Sequence, residues 1–217
     1  MNRSEPLRVD IVSDVVCPWC IVGYRQLEAA CEVTQTPMVV FWHPFELNVD
    51  MPPEGQNLRE HLAAKYGSTP EQSRAARDHL TQLGESLGFR FNYSDGMRMV
   101  NTFRAHQAIH WAGTHGLAHQ MKMALFTAFF SDGLDVGDID VLVDAAETVG
   151  LDRNEAHHIL KNGDFEQAVR EEEQFWTSRG IQGVPAMVFD KKYLVTGAQG
   201  IDGYGRILEQ IKNADAA

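Results

Sequence analysis

The sequence predicts an α/β fold in which a large all-helical insertion separates two segments that contain strands. Three observations lead to this prediction. A strand–helix–strand pattern (βαβ) opens the chain, helical periodicity fills its middle, and two short strands with a helix (ββα) close it. With 217 residues, of which 44% are hydrophobic and 23% charged, the chain is long enough for one globular fold with such an insertion.

The opening βαβ unit is predicted from three consecutive patterns. Leu7–Ser13 alternates apolar and polar residues, which is typical of a strand. Residues 18–33 then place apolar groups at helical spacing, with Pro18 in the first turn. Met38–Pro44 is apolar at nearly every position, which predicts a central strand covered on both faces.

The middle of the chain follows a helical pattern. Helices are predicted over Leu58–Tyr66, residues 70–87, residues 102–114 and Ala118–Phe130. Asp138 and Asp152 are suitable N-caps for two further helices, and Asp164 with Gln167 predicts the start of another that ends at Gly180. Phe126, Phe129 and Phe130 are expected in the core, with a covering position over the cysteine site as the alternative.

The closing ββα pattern consists of strands over residues 183–189 and 193–197 and a helix over residues 202–212. Together with the opening unit, this pattern predicts two domains. One contains residues 1–48 and 181–217, with part of the preceding helix at about residues 164–180. The other is the inserted helical domain, residues 49–163.

Charge and hydropathy narrow the classes of partner. A net charge of −11 argues against nucleic acid or an anionic membrane surface, because binding phosphates needs clustered Lys and Arg. The N-terminus has no apolar segment typical of a secretory signal, and no stretch of about 18 apolar residues occurs. We therefore expect a soluble protein of the cytoplasm, without a membrane partner.

The sequence Val-Cys-Pro-Trp-Cys-Ile at residues 16–21 places a CxxC motif between the first strand and the first helix. A structural zinc site needs four ligands, and the chain has no second CxxC. Cys31 lies eleven residues beyond Cys20 on the same helix, about 16 Å along the axis, which is too far to share a metal or a disulfide. We therefore expect no metal site.

The position of the motif favours thiol redox chemistry. At the helix N-terminus, free N–H groups and the positive end of the helix dipole stabilise the thiolate of Cys17. Cys20 lies one turn later on the inner face, where apolar surroundings raise its pKa. This pattern predicts an exposed attacking thiol and a buried resolving thiol.

The Val184–Pro185 step is the second predicted part of the site. A cis peptide there would expose backbone groups to a substrate strand. The alternative is an ordinary loop proline before an edge strand.

Several further motifs resemble one family. They are Phe-Glu-Leu-Asn at residues 45–48, Pro-Pro-Glu-Gly at 52–55, Asn-Thr-Phe-Arg-Ala-His at 101–106, Gly-Val-Pro at 183–185 and Thr-Gly-Ala-Gln at 196–199. With the CxxC motif and the order of elements, they resemble the thioredoxin superfamily and, more narrowly, its DsbA-like, FrnE-type branch. The 2-hydroxychromene-2-carboxylate isomerases and kappa glutathione transferases form a related branch, which typically has Ser in place of the first cysteine.

The resemblance implies a thioredoxin fold with the helical insertion between its second and third strands, and it implies roles for individual residues. Cys17 is the attacking thiolate and Cys20 the resolving thiol. Pro18 and Trp19 tune the pair, and Val184 with cis-Pro185 forms the substrate-binding loop. Asn101, Thr102 and His106 are candidate substrate-binding residues, although Asn101 and Thr102 also suit a helix N-cap.

The predicted function is a thiol–disulfide oxidoreductase that reduces, forms or isomerises disulfides through a mixed disulfide. No bound cofactor is expected, and glutathione is a candidate reductant. The expected partners are disulfide-containing proteins, peptides or small molecules, and the protein is expected to be a monomer or a homodimer. Trp19 replaces the His of exported DsbA proteins, which argues against a strongly oxidising pair. The alternatives are a glutathione-dependent isomerase or transferase and a non-redox holdase or binding protein.

Overall fold

The computed structural model describes residues 5–214, so the outermost positions of the predicted two-segment domain, 1–4 and 215–217, lie outside the described residues. The elements follow the chain as β1 Leu7–Ser13, α1 Pro18–Thr34, β2 Met38–Pro44, β3 Gln56–Asn57, α2 Leu58–Tyr66, α3 Pro70–Ser86, β4 Arg98–Met99, α4 Phe103–Thr114, α5 Ala118–Phe130, α6 Ile139–Thr148, α7 Arg153–Asn162, α8 Glu166–Thr177, β5 Ala186–Phe189, β6 Tyr193–Thr196 and α9 Ile201–Ala214. This order agrees with the predicted α/β class.

The main sheet has the strand order β2-β1-β5-β6. Strand β1 runs parallel to β2, with Leu7 opposite Met38, and antiparallel to β5, with Val9 opposite Phe189. The inner side chains of β1 are fully buried in the core to which α1 and α9 contribute. The strand that leads into the CxxC motif is therefore held rigidly between two neighbours.

The prediction that Met38–Pro44 is a central strand is wrong. β2 is an edge strand, and Val39 and Phe41 on one of its faces are 42% and 39% exposed. The guanidinium of Arg8 lies 3.9 Å from the centroid of the Phe41 ring and partly shields that face. The other face carries Trp42, which packs against the helical insertion. A strand whose residues are nearly all hydrophobic can therefore lie at the edge of a sheet, where its side chains contact groups outside the sheet, as well as at the centre.

The insertion also contains a short pair of strands that the sequence did not predict. Gln56 in β3 pairs antiparallel with Met99 in β4. Gly55, just before β3, has a positive φ of 65°, and a Cβ there would lie 2.5 Å from the Met99 carbonyl oxygen. Glycine allows this close approach of two backbones.

Two of the predicted helix N-caps are confirmed and one is wrong. The carboxylate of Asp138 accepts a hydrogen bond from Asp140 N, and that of Asp152 accepts one from Glu155 N. Asp164 does not cap α8, because its own N–H donates to Ile159 O and so completes the C-terminal turn of α7. Helix α8 begins at Glu166 instead, and the side chain of its N-cap residue, Phe165, makes no capping hydrogen bond.

Charged groups attach α8 to the sheet. His43 on β2 contacts Glu172 of α8 through Nδ1, at 2.6 Å, and Asp10 of β1 through Nε2, at 2.8 Å. Arg170, also on α8, pairs with the buried Glu46 carboxylate after β2. These contacts hold α8 against β1 and β2 of the sheet. The division of the chain into two domains remains a prediction.

No helix among residues 5–214 has the length and apolar character needed to cross a bilayer.

Candidate active site

Cys17 lies at the N-cap of α1, immediately after the turn that follows β1. Its backbone is extended, Pro18 begins the helix, and Cys20 N donates a hydrogen bond to Cys17 O. No side chain caps this end of the helix, and its first turn carries no acidic residue. The positive end of the helix dipole therefore lies next to the Cys17 sulfur.

The two cysteines differ in burial less than the sequence predicts. Cys20 is fully buried, as expected, but Cys17 is only 4% exposed, so the prediction of an exposed attacking thiol is wrong. Trp19 between them is the exposed member of the motif. Helices α2 and α3 of the insertion contribute side chains that line the space above Cys17, and this covering accounts for its low exposure.

The Val184–Pro185 segment faces the first cysteine. The peptide bond between these residues is cis, and the Cys17 thiol donates to Val184 O at an Sγ–O distance of 3.7 Å. Pro185 O accepts a hydrogen bond from Gly197 N, which ties the segment to the end of β6. The structure thus brings together Cys17 and a backbone carbonyl from the other end of the chain.

A buried charged group lies beneath the cysteines. The ammonium of Lys122, from α5, is 1% exposed and donates to Ser13 O at 3.4 Å. Burial lowers the pKa of Lys122 to about 8, while the nearby Cys20 and Asp14 act in the opposite direction. Burial and the Cys17 thiol raise the pKa of Cys20 well above its ordinary value, and the Lys122 charge opposes this rise.

Asp14 is the second buried group near the motif. Its Oδ2 accepts a hydrogen bond from Leu47 N at 2.8 Å, and its Oδ1 lies 3.5 Å from His106 Nε2. Burial by itself would raise the pKa of Asp14, but the imidazole of His106 and the Leu47 N–H outweigh that effect and lower it. Sequence reasoning did not single out Asp14 or Lys122. A charged residue three positions before Cys17, and a lysine one turn before the buried Phe126, were the available signals.

The three candidate residues of the 101–106 motif lie away from the opening above Cys17. Asn101 Oδ1 accepts a hydrogen bond from Phe103 N, whereas Thr102 is buried and makes no side-chain cap. His106 Nε2 lies 3.1 Å from Phe45 O. None of the three is among the residues that line the described cleft, and their substrate-binding role remains a prediction.

A cleft of about 330 Å³ opens above Cys17. Its floor is formed by Cys17, Pro18, Trp19 and Val184. The insertion covers it with residues of α2, α3 and the end of α5, including the predicted Phe129 and Phe130. Phe126 instead packs in the core, against Trp42. A cavity of this size is within the usual range for small-molecule sites.

The third cysteine lies apart from the pair. Cys31 Sγ contacts Met38 Sδ at 3.6 Å, and burial raises the pKa of Cys31 to about 11. A search of residues 5–214 finds no cluster of three or more His, Cys, Asp or Glu side chains with the geometry of a metal site.

Comparison with known proteins places this arrangement in a class. The four-stranded sheet, with a CxxC motif at the N-terminus of α1 and an opposed proline loop, is that of a thioredoxin-fold protein. The family model described as DSBA-like thioredoxin domain matches residues 8–209, and the chain belongs to this family. Members of the DsbA-like family are disulfide oxidoreductases.

Solved structures support the same assignment. The Streptomyces coelicolor protein SCO1869, described as a "probable DsbA oxidoreductase", is 31% identical with a TM-score of 0.88, over 94% of this chain and 89% of that one. The 2-hydroxychromene-2-carboxylate isomerase is 17% identical with a TM-score of 0.70, over 97% and 99%. The cytosolic disulfide reductase DsbM from Pseudomonas aeruginosa, solved with GSH, is 19% identical with a TM-score of 0.64, over 95% and 100%. The last two similarities show the shared fold.

Proposed function

We propose that this protein is a thiol–disulfide oxidoreductase whose Cys17–Cys20 dithiol exchanges electrons with substrate disulfides. The observation that supports this most directly is the geometry of the pair. Cys17 lies at an uncapped helix N-terminus, facing Val184 O, and Cys20 is buried one turn later. An attacking thiol and an adjacent resolving thiol are the two groups that disulfide exchange requires.

The reaction proceeds in two exchanges. The Cys17 thiolate attacks one sulfur of the substrate disulfide, forms a mixed disulfide and releases the first substrate thiolate. Cys20 then loses its proton and attacks Cys17 Sγ, which forms the Cys17–Cys20 disulfide and releases the second substrate thiolate. Two electrons pass from the dithiol to the substrate, and the reverse sequence forms a substrate disulfide.

Lys122 assists the second exchange in this mechanism. Cys20 must become a thiolate in a buried environment that disfavours charge. The ammonium of Lys122 is the nearby positive charge that lowers the cost of that thiolate. We assign Lys122 a positioning and electrostatic role rather than direct contact with substrate.

The remaining parts of the proposal concern setting and partners. We propose that the protein works in the cytoplasm. We also propose that it uses no bound cofactor, because the cysteine pair itself carries both electrons. Glutathione is a candidate reductant, an idea to which the fold shared with a disulfide reductase solved with GSH lends support. Substrate disulfides belong to proteins, peptides or small molecules.

Trapping the mixed disulfide tests the proposal. Cys20→Ser, incubated in turn with a small-molecule, a peptide and a protein disulfide, should accumulate one covalent adduct on Cys17 with at least one of them, detected by intact mass and peptide mapping. Cys17→Ser should form none. Cys31→Ser, the matched control in the same helix, should behave like the unmodified chain. An adduct mapped to Cys31, or no adduct with Cys20→Ser, would contradict the proposed function.

A further inference from the structure

The low exposure of Cys17 limits which disulfides can reach it. The thiol is 4% exposed and lies at the floor of the cleft of about 330 Å³ described above. A disulfide on the surface of a folded protein is attached to bulky backbone on both sides and cannot enter a space of this size. A slender, low-molecular-weight disulfide can.

The walls of the cleft are mainly apolar. Side chains from α2, α3, β4 and α5 supply most of this surface, including Leu58, Leu62, Leu80, Met99, Phe129 and Phe130. Such walls favour an apolar body, because burying apolar surface is the main source of affinity in closed pockets. Most of the highly polar surface of a peptide would lose its hydration there without gaining partners.

Three polar residues of α3 interrupt this apolar surface, Gln72, Ser73 and Arg77. Ser73 lines the cleft and is 6% exposed, yet its Oγ makes no hydrogen bond. Arg77, one turn later on the same side of α3, also lines the cleft. Its Nε donates to Ser73 O at 3.3 Å, and no ion pair with a carboxylate is found for it among the described residues. The Ser73 Oγ is closed off from the cleft, so Arg77, which is only partly buried, is the group of the two that a ligand can reach.

The Arg77 guanidinium on this wall is a suitable partner for a carboxylate. It matches a carboxylate in both charge and planar geometry. We propose that the cleft over Cys17 selects low-molecular-weight disulfides with an apolar, aromatic-sized body and a carboxylate, which Arg77 binds. This inference rests on the proposed function and specifies its substrate class.

The reaction with such a disulfide needs no additional reductant in a single turnover. The reduced protein supplies both electrons, the substrate S–S bond breaks, and the Cys17–Cys20 bond forms. Two molecules of the carboxylated thiol are released. The rate of thiol release therefore measures how well each disulfide uses the cleft.

A pair of matched aromatic disulfides tests the inference. Reduced protein is mixed with para-dithiodibenzoate or with the neutral para-dithiodibenzamide, and thiol release is followed in single turnover. Glutathione disulfide and insulin serve as a polar peptide disulfide and a protein disulfide. Each rate is divided by the rate of the same disulfide with dithiothreitol, which corrects for intrinsic reactivity. We expect a normalised preference of about tenfold for the carboxylate over the amide, the scale of one charged hydrogen bond.

Variants of α3 assign that preference to its side chains. Arg77→Met should remove most of the preference by slowing the reaction of the carboxylate disulfide. Ser73→Ala removes a hydroxyl that is closed off from the cleft and should leave the preference intact. Ser86→Ala is the matched control, because its Oγ bonds to Leu83 O at the end of the same helix, outside the cleft lining. Circular dichroism establishes that each variant is folded.

Two different failures can be distinguished. Equal normalised rates for carboxylate and amide, or a preference for glutathione disulfide or insulin, would overturn the substrate class while leaving the dithiol mechanism intact. A preference that survives Arg77→Met would overturn the assignment to α3. No thiol release from any of the four disulfides would instead overturn the proposed function itself.

Discussion

Among single residues, Lys122 connects the helical insertion to the cysteine pair. Its ammonium is buried beneath the CxxC motif, between Ser13 O and the rings of Trp42 and Phe126. Burial lowers its pKa to about 8, so it carries its charge at neutral pH and loses it in mildly alkaline solution. The charge favours the thiolate of Cys20. In the proposed mechanism, the resolving step therefore depends on a residue from α5.

Lys122→Met should slow the second exchange. Methionine has a similar length but no charge, so the thiolate of Cys20 loses its stabilising cation. We expect release of the second substrate thiol to fall several-fold near pH 7, with release of the first affected less. Rapid-quench analysis of the mixed disulfide measures both steps. Equal slowing of the two releases would contradict this role.

The same variant should change how stability depends on pH. The pKa of Lys122 lies at about 8 in the folded protein against 10.5 for an ordinary lysine, so the unfolded chain binds more protons between these values. The free energy of unfolding of the unmodified chain should therefore rise relative to that of Lys122→Met from pH 8 upward. The total rise should approach about 3 kcal/mol. Urea unfolding of both chains across this range measures the difference. A constant difference would contradict the buried, charged lysine.

The part of the cysteine site that is formed by residues adjacent in the sequence was predictable. Cys17, Pro18 and Cys20 are contiguous with a strand end and a helix start, and that pattern alone indicates their arrangement. The burial of Cys17 was not predictable in this way, because the side chains that cover it belong to α2 and α3, which begin at Leu58 and Pro70, far along the chain. Lys122 was missed for the same reason, since its partner Ser13 is 109 positions away.

Among the elements, α8 depends on a charged network for its attachment to the sheet. His43 contacts Asp10 and Glu172, and His110 of α4 lies 3.3 Å from the second Glu172 oxygen. Burial by itself would raise the pKa of Asp10 and Glu172. Hydrogen bonds from His43 and Arg8 lower the pKa of Asp10 to about 2, and hydrogen bonds with His110 and His43 lower that of Glu172 to about 2. Burial would lower the pKa of His43, and its two carboxylate partners raise it instead.

These shifts define the pH window in which the network stabilises the fold. The lowered carboxyl pKa values contribute stability above their ordinary values of 3.8 and 4.5, and this is lost as pH falls through about 2. The raised pKa of His43 contributes stability that is complete below 6.5 and is lost as pH rises through the folded value. The network is therefore strongest between about pH 4.5 and 6.5.

His43→Gln should destabilise the protein most within that window. We expect a loss of about 2 kcal/mol near pH 5.5, the scale of hydrogen bonds to charged groups, and a smaller loss at alkaline pH. Chemical denaturation at both pH values measures it. The exposed His157→Gln on α7 is the control and should change little. A loss that is larger at alkaline pH would contradict the assigned network.

Element bounds were largely predictable because periodicity and caps are local properties. Leu7–Ser13, Met38–Pro44 and Ala118–Phe130 have the predicted limits. The position of β2 at the edge of the sheet was not predictable, because its apolar residues contact Arg8 and the helical insertion rather than a further strand. The strands β3 and β4 have two residues each, too few for any periodicity.

At the scale of the whole molecule, the insertion controls access to a site built on the sheet. The floor of the cleft comes from the two ends of the chain and its cover from the middle. Neither part alone encloses Cys17. Side chains of α2 and α3 therefore cover the Cys17 thiol.

Leu80→Ala should open the cleft. Leu80 of α3 is 7% exposed and lines the cleft, so truncation removes part of its cover at a stability cost of about 2–5 kcal/mol. We expect alkylation of Cys17 in the native protein to become faster, with a larger gain for a bulky maleimide than for iodoacetamide. Mass spectrometry of quenched samples measures both rates. Leu194→Ala, at a 51% exposed position of β6, is the control. Unchanged alkylation of Cys17 in Leu80→Ala would contradict the covering role.

The redox equilibrium of the Cys17–Cys20 pair tests the central claim most directly. The protein is equilibrated in buffers of reduced and oxidised glutathione, trapped by alkylation and resolved by mass, with Cys17→Ser as the blank. The account predicts a reversible two-electron couple, and Trp19 in place of histidine predicts a potential of about −270 to −200 mV, in the thioredoxin and glutaredoxin range. Absence of an intramolecular Cys17–Cys20 disulfide at every glutathione ratio would contradict the account.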